Sequence, residues 1–321
     1  MSTYKQIHGT DIEVLSSDPA NPVEGQVWYN STSNVVKGLI NNPGSWSTGG
    51  DLGTARYYLA GAGTQTSALG FGGLGPSANT ESYDGTSWTE VNDLNTARYG
   101  LAGAGTQTAA LGFGGYVGAP VYYGAVTESW NGTSWTEVND LNTGRIYLGG
   151  AGTNTAALAF GGTSPTTAAT ESWNGTSWTE VNDLNTARSD LGGDGTQTSA
   201  LAFGGEGPPK VANTESWNGT SWTEVNDLNT ARQTLGSTGA DNTNALAFGG
   251  FDPSPAKTGA TESWNGTSWT ELNDLNISRY GLGGAGTNTS GLGFGGSGIP
   301  GSTAATEEWN VGLQTITFTD S

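Results

Sequence analysis

The phrase TESWNGTSWTEVNDLNTAR stands unchanged at residues 170–188 and 214–232, near copies begin at Thr80, Thr127 and Thr261, and a sixth starts at Thr306 and stops after Asn310. A unit this short cannot bury its own apolar face, so repetition at this period implies stacked units: a solenoid or a propeller. Six arginines mark the period, Arg56, Arg98, Arg145, Arg188, Arg232 and Arg279, spaced 42–47 residues apart. Each leads into a segment such as YLAGAGTQTSALGFGG, which ends in Gly-Gly at 73, 115, 162, 205, 250 and 296.

Every repeat reads as four short strands. In the third, LGGAG from Leu148 is the first strand and GTNT a turn. AALAFGG through Gly162 is the second, with Leu158 and Phe160 alternating as in a half-buried strand. TESW to Trp173 and SWTEV from Ser177 are the third and fourth. Asn174-Gly175 between them is a hairpin signal, since both residues tolerate positive φ. Trp173 and Trp178 then fall on one face, paired or diagonal, and that face is expected to pack on the next unit. No segment carries a helical period.

The broken sixth copy decides between the two architectures. NPGSWSTGGDLGTAR at 42–56 matches the second half of the phrase, with Trp46 as its tryptophan and Asp51-Leu52 as its Asp-Leu. One end of the chain therefore carries a fourth strand without its first three, and the other carries three strands without a normal fourth. A propeller needs such complementary ends and a solenoid does not. The expected fold is all-β: a six-bladed β-propeller over 37–321, its last blade completed by the strand near 42–52, preceded by an arm over 1–36 that contains a β-hairpin.

Glycine supplies 54 of 321 residues, without the G-X-Y period of collagen, and 12 Trp and 11 Tyr offer apolar surface that a disordered chain lacks. Formal charge is −19, from 29 acidic and 10 basic residues. The arginines sit at one repeat position and the four lysines are scattered, so nucleic acid and anionic membrane are not expected partners. There is no cysteine, which excludes disulfides and thiolate chemistry. The start, MSTYKQIHGTDIEVLSSD, does not read as a signal peptide, and no run is long and apolar enough for a membrane helix.

Arg, then Gly-Gly, then an acidic-aromatic pair, then Trp about five residues on, resembles the kelch repeat of kelch-type β-propellers, over Asn42 to Asn310. That family includes oxidases and many binding scaffolds, so the resemblance implies a fold and leaves function open. Upstream, PANPVEGQVWYNSTSNVVKGL at 19–39 is similar to short β-hairpin modules in bacteriophage tail-fibre and other virion proteins, and the Thr/Asn/Gly-rich, cysteine-free repeats are similar to those of phage structural proteins. These likenesses imply a virion location, with the protein made in the host cytoplasm.

Candidate chemistry is weighed on the residues. Copper oxidases of the kelch-type fold need a cysteine-linked tyrosine and two histidines; here there is no cysteine and His8 is the one histidine, so no cofactor is expected. SYDGTSW at 82–88 comes near the turn motif of sialidase propellers, but its Gly and Trp are each one position early. Paired carboxylates such as Glu128 and Glu137, or Glu171 and Glu180, recur in every unit, whereas a glycosidase pair should be unique. The arginines are expected to pair with acids near in sequence, although a ring of guanidinium groups could also bind an anion. A ring of Asp51, Asp93, Asp140, Asp183, Asp227 and Asp274 could hold Ca²⁺, but lacks the dense spacing of a calcium loop.

The repeats differ most between their second and third strands, in loops starting at Leu74, Tyr116, Thr163, Glu206, Phe251 and Ser297. In an up-and-down blade these loops share a face with the connections between repeats. They carry Tyr116, Tyr122, Tyr123, Lys210, Phe251, Asp252 and Lys257, which are the candidate binding residues, since recognition is often loop-borne on a rigid scaffold. The expectation is a non-enzymatic virion structural protein of tail-fibre or receptor-binding type. Its arm would hold other virion proteins or sister subunits, and its variable face would meet a host surface glycan or protein. A capsid decoration protein is the alternative, and a glycan-active enzyme a more distant one.

Overall fold

The computed structural model describes residues 12–318 apart from 164, 208–210 and 255. The architecture is all-β and propeller-like: four-stranded antiparallel sheets recur along the chain, and no helix occurs among the described residues. One compact unit comprises Ser45–Asn310, and a smaller one comprises residues up to Gly44 together with the segment from Val311.

Within the larger unit each of the first five repeats forms its sheet in chain order. In the third, Gly149–Gly152 pairs with Ala157–Phe160, that strand with Thr170–Trp173, and that with Trp178–Val181. Trp173 and Trp178 are directly opposite, with ring centroids 5.3 Å apart. The loop between them therefore holds four residues. Of Asn174 and Gly175 only the glycine takes positive φ, +88°. Asn174 instead accepts from the backbone N–H groups of Thr176 and Ser177, each at 2.9 Å, as an Asx turn does.

The second strand departs from the half-buried expectation. Leu158 and Phe160 pack with Leu184, Trp217 and Trp222 of the fourth repeat's seam, while Ala157 and Ala159 pack with Leu111 and Phe113 of the second repeat. All four side chains are fully buried. The alternation is one of size and not polarity, because a strand between two neighbouring sheets has no water-facing side.

The tryptophan face also packs the opposite way from the expectation. Trp178 lies 4.9 Å from the Phe113 ring and donates Nε1–H to Thr127 Oγ1 at 3.0 Å, both in the preceding repeat. Trp135 bonds Thr80, Trp222 bonds Thr170, Trp269 bonds Thr214, Trp88 bonds Thr306 and Trp46 bonds Thr261 in the same manner. Each seam thus combines a large aromatic burial with a satisfied indole N–H, the condition under which a buried Trp stabilises.

At the chain ends, the strand Val35–Thr48 lies beside the strand Thr306–Phe318. Gly49 N–H donates to Thr306 O and Leu52 N–H to Ala304 O, each at 2.9 Å. Ala285, Leu292 and Phe294 of the last full repeat share a core with Leu59, Ala68 and Trp88 of the first. The innermost strands approach so closely that a Cβ on Gly61 would lie 2.3 Å from Gly284 O. That contact explains why glycine dominates these strands.

In the smaller unit, Glu13–Leu15 runs parallel to Val27–Asn30, which pairs antiparallel with the start of Val35–Thr48 through Val27↔Gly38. Asp18 organises it. Its Oδ1 accepts from Trp28 Nε1 at 3.0 Å and Asn30 Nδ2 at 2.8 Å, and its Oδ2 from Lys37 Nζ at 2.7 Å. Lys37 foremost, then Asn30 and Trp28, hold the Asp18 carboxyl down at about 2. No helix among the described residues is long and apolar enough to cross a membrane.

Candidate functional site

The repeated arginines and the first glutamate of each carboxylate pair are absorbed by structure, while the second, such as Glu137 or Glu180, is exposed. Arg98 Nη2 reaches Glu128 Oε1 at 3.1 Å and also Gly112 O at 3.2 Å, and both side chains are fully buried. Glu128 Oε2 accepts from the Asn95 N–H at 2.7 Å and from Asn95 Nδ2 at 2.8 Å. Arg56–Glu81, Arg145–Glu171, Arg188–Glu215, Arg232–Glu262 and Arg279–Glu307 repeat the pair. Burial pushes the Arg98 guanidinium down to about 10, opposed by Glu128, so it stays charged at neutral pH. The acidic partner is therefore the Glu of the Thr-Glu-Ser motif, brought across by sheet pairing, and not the Asp beside each Arg in sequence.

Those aspartates do other work. Asp93, Asp140, Asp183 and Asp227 each accept the N–H of their repeat's first third-strand threonine at 3.1 Å, from Thr80, Thr127, Thr170 and Thr214. Asp51 accepts from Thr306 N–H at 3.3 Å. No group of three or more His, Cys, Asp or Glu that could hold a metal occurs among the described residues.

The loop residues singled out by sequence divide into two sets. Tyr122 and Tyr123 are 49% and 45% exposed, at the tip of a small hairpin in which Tyr116 pairs with Tyr123. Tyr116 and Phe251 are only half-buried tips: Tyr116 stacks on Tyr99 at 4.9 Å and Phe251 on Tyr280 at 4.1 Å. Asp252 Oδ1 accepts from the N–H groups of Ser254 at 2.9 Å and Ala256 at 3.1 Å, shaping its own turn. Lys257 lies 5.3 Å over the Tyr280 ring and donates Nζ–H to Gly298 O. Lys210 lies outside the described residues.

What the loop comparison missed is the second residue after each arginine: Tyr58, Gly100, Tyr147, Asp190, Thr234 and Gly281. The N–H of each donates to the carbonyl of the preceding member at 2.7–2.9 Å, and Tyr58 N–H donates to Gly281 O. All six have φ between 54° and 63°. Two are glycines, for which that conformation costs little, and four are not. The signal was present in the sequence, since this position varies within an otherwise repeated connection.

These residues rim a pocket of about 80 Å³. Tyr58 and Tyr147 meet over it with centroids 5.0 Å apart. A Cβ at Gly100 would touch Tyr147 at 2.9 Å and one at Gly281 would approach Tyr58 at 3.2 Å, so the glycines make room for the rings. Burial pushes the Asp190 carboxyl up to about 7, against the Ser189 hydroxyl that donates to it at 3.0 Å. Beyond lies a cavity of about 200 Å³ walled by the first strands of the repeats. Asp194 faces it where other repeats have Ala62, Ala104, Ala151 and Ala285. Its Oδ2 has no hydrogen-bond partner, and burial pushes its carboxyl up to about 8.

No protein-family model matches the chain, and no curated protein matches it.

Proposed function

We propose that the chain is a six-bladed, kelch-like β-propeller closed by the strand around Trp46, and that it serves as a non-enzymatic recognition scaffold on a phage virion. Closure is supported by the six Trp–Thr bonds and by the backbone bonds that run from Tyr58 through Gly281 and back. Recognition is supported by one observation above others. The repeated arginines, tryptophans and third-strand threonines hold sheets together, while several side chains that vary gather as an aromatic cluster, Tyr57, Tyr58, Tyr99, Tyr116, Tyr147 and Tyr280. Tyrosine surfaces of this kind offer large contact area at small entropic cost.

The virion placement rests on the likeness of residues 19–39 to tail-fibre hairpins. An attachment role for the smaller unit is supported by its exposed Val14, Val23, Leu313 and Phe318, at 66%, 66%, 56% and 45%. The partners proposed there are sister subunits or other virion proteins, and on the variable face a host surface glycan or protein.

The test is a pair of loop-tip replacements, Tyr122→Ser and Tyr123→Ser, carried into particles. Reduced adsorption to host cells with intact particles supports recognition. Normal adsorption with fragile or shed particles favours the capsid-decoration reading, and no change in either removes this face from consideration.

A further inference from the structure

We propose that the pocket rimmed by Tyr58, Tyr147, Asp190 and Thr234 is a binding site for a small substituted ammonium group. This goes beyond recognition by the loops, because it concerns the mouth of the central cavity and not the loop tips.

The backbone supplies the first argument. Gly100 and Gly281 show that this ring position accepts glycine, yet Tyr58, Tyr147, Asp190 and Thr234 are held at φ 57°, 56°, 56° and 54°. A left-handed tyrosine is uncommon and a β-branched threonine there is strained, and strain kept by the surrounding structure clusters at binding and switch sites. Four side chains are thus pressed onto one rim at a conformational cost that glycine would avoid.

Charge supplies the second. Asp190 receives one side-chain hydrogen bond, from Ser189, and no Lys or Arg pairs with it among the described residues. A carboxylate beside aromatic rings and partly withdrawn from water is costly when charged, unless a cation is brought to it. Asp194, on the strand Gly192–Thr196 that continues inward from Asp190, adds a second carboxylate with an unpartnered oxygen. The cavity wall there is otherwise glycine and alanine, apart from Ser237 and the leucines at its ends. The chain's formal charge of −19 raises the local concentration of cations in such a concavity.

Ring geometry supplies the third and selects the ligand. Tyr58 stands 5.0 Å from Tyr147 at 54° and 6.0 Å from Tyr280 at 68°, which gives tilted walls and not a flat stacking platform. Rings this close touch one another, so an ammonium group would sit on their pocket side, where ring faces of negative potential attract it. The protein already uses the arrangement once, since its own Lys257 ammonium sits 5.3 Å over the Tyr280 ring. An anion would meet two carboxylates, and a neutral polyol would leave Asp190 uncompensated.

The experiment titrates the purified full chain with choline and with its neutral isostere 3,3-dimethylbutanol, following heat or ligand methyl resonances. Choline is expected to bind saturably and the isostere at least about tenfold more weakly. Asp190→Asn keeps the shape and suits a left-handed backbone, and is expected to weaken choline by about tenfold with melting held or raised, since it also removes a carboxyl that burial disfavours when charged. Tyr147→Gly, which copies the residue found at Gly100, is expected to lower affinity while holding or raising stability. Equal binding of the isostere, no saturation in the tens of millimolar, or undiminished affinity in both folded variants overturns the proposal. Because the titration uses isolated protein, its outcome is separate from whether particles adsorb through the loops.

Discussion

Tyr83 donates its hydroxyl hydrogen to Glu308 Oε1 at 2.7 Å. These two positions are departures from the repeated phrase: Tyr83 replaces a tryptophan and Glu308 a serine. In the second repeat the matching Trp130 reaches a carbonyl in the turn between that repeat's first two strands, Gln107 O at 2.9 Å, whereas the shorter Tyr83 turns to Glu308. The substitutions at opposite ends of the sequence are thus partners in space, at the seam where the first repeat meets the last. Tyr83→Phe and Glu308→Ser should each cost about 1–3 kcal/mol, as for a hydrogen bond to a charged group. The double variant should lose little more than the worse single one, because both remove the same bond. Urea unfolding of the four proteins measures this coupling.

The buried arginine pairs should be costly to break and cheap to replace. Arg98→Met strands Glu128 in a dry seam, with an expected loss of about 3–5 kcal/mol. Removing both charges, with Glu128→Gln added, should recover part of that loss, although the Asn95 N–H that Glu128 accepts limits the recovery. Denaturant midpoints compared at equal slope decide it.

Trp46 fills the sixth tryptophan place from the other end of the chain, with Nε1 3.0 Å from Thr261 Oγ1 and its ring 4.9 Å from Phe248. Trp46→Ala should cost about 3–5 kcal/mol, the range for large aromatic truncations in a core. Deleting residues 1–50 should do worse, since it leaves the Thr306–Phe318 strand as an unpaired edge open to aggregation. A truncated chain that melts like the intact one would show that the sheet does not need this strand.

Asp194 gives a pH signature. Its folded-state pKa of about 8 lies above the ordinary carboxylate value of 3.8, chiefly through burial. The native state therefore holds a proton that the unfolded chain has already released, and stability falls as pH rises from near 4 through 8. Asp194→Ala copies four other repeats and removes the penalty. The variant should melt alongside the parent at pH 4 and above it at pH 9, by about 2–4 °C for each kcal/mol recovered. Melting curves across this range test the sign as well as the size.

Much of this was legible in the sequence because repetition fixes local structure. The period gave four strands per unit, and the hairpin signal put Trp173 and Trp178 on one face, while their direct pairing across a four-residue loop came from the structure. The complementary ends pointed to Trp46 as the missing fourth-strand tryptophan. What crosses from one unit to another was not legible. The sequence put an aspartate next to each arginine, but the partner is a glutamate that sheet pairing carries in from 25–30 positions away. Leu158 and Ala159 read as one buried and one open face, until a second sheet covered the alanine side. The six residues from Tyr58 to Gly281 are scattered singly along the chain, and only the backbone bonds between one repeat's connection and the next set them on one rim. Local order here is written in short-range propensity. The seams and the pocket arise from contacts between units, and a strand's own sequence carries no record of what is packed against it.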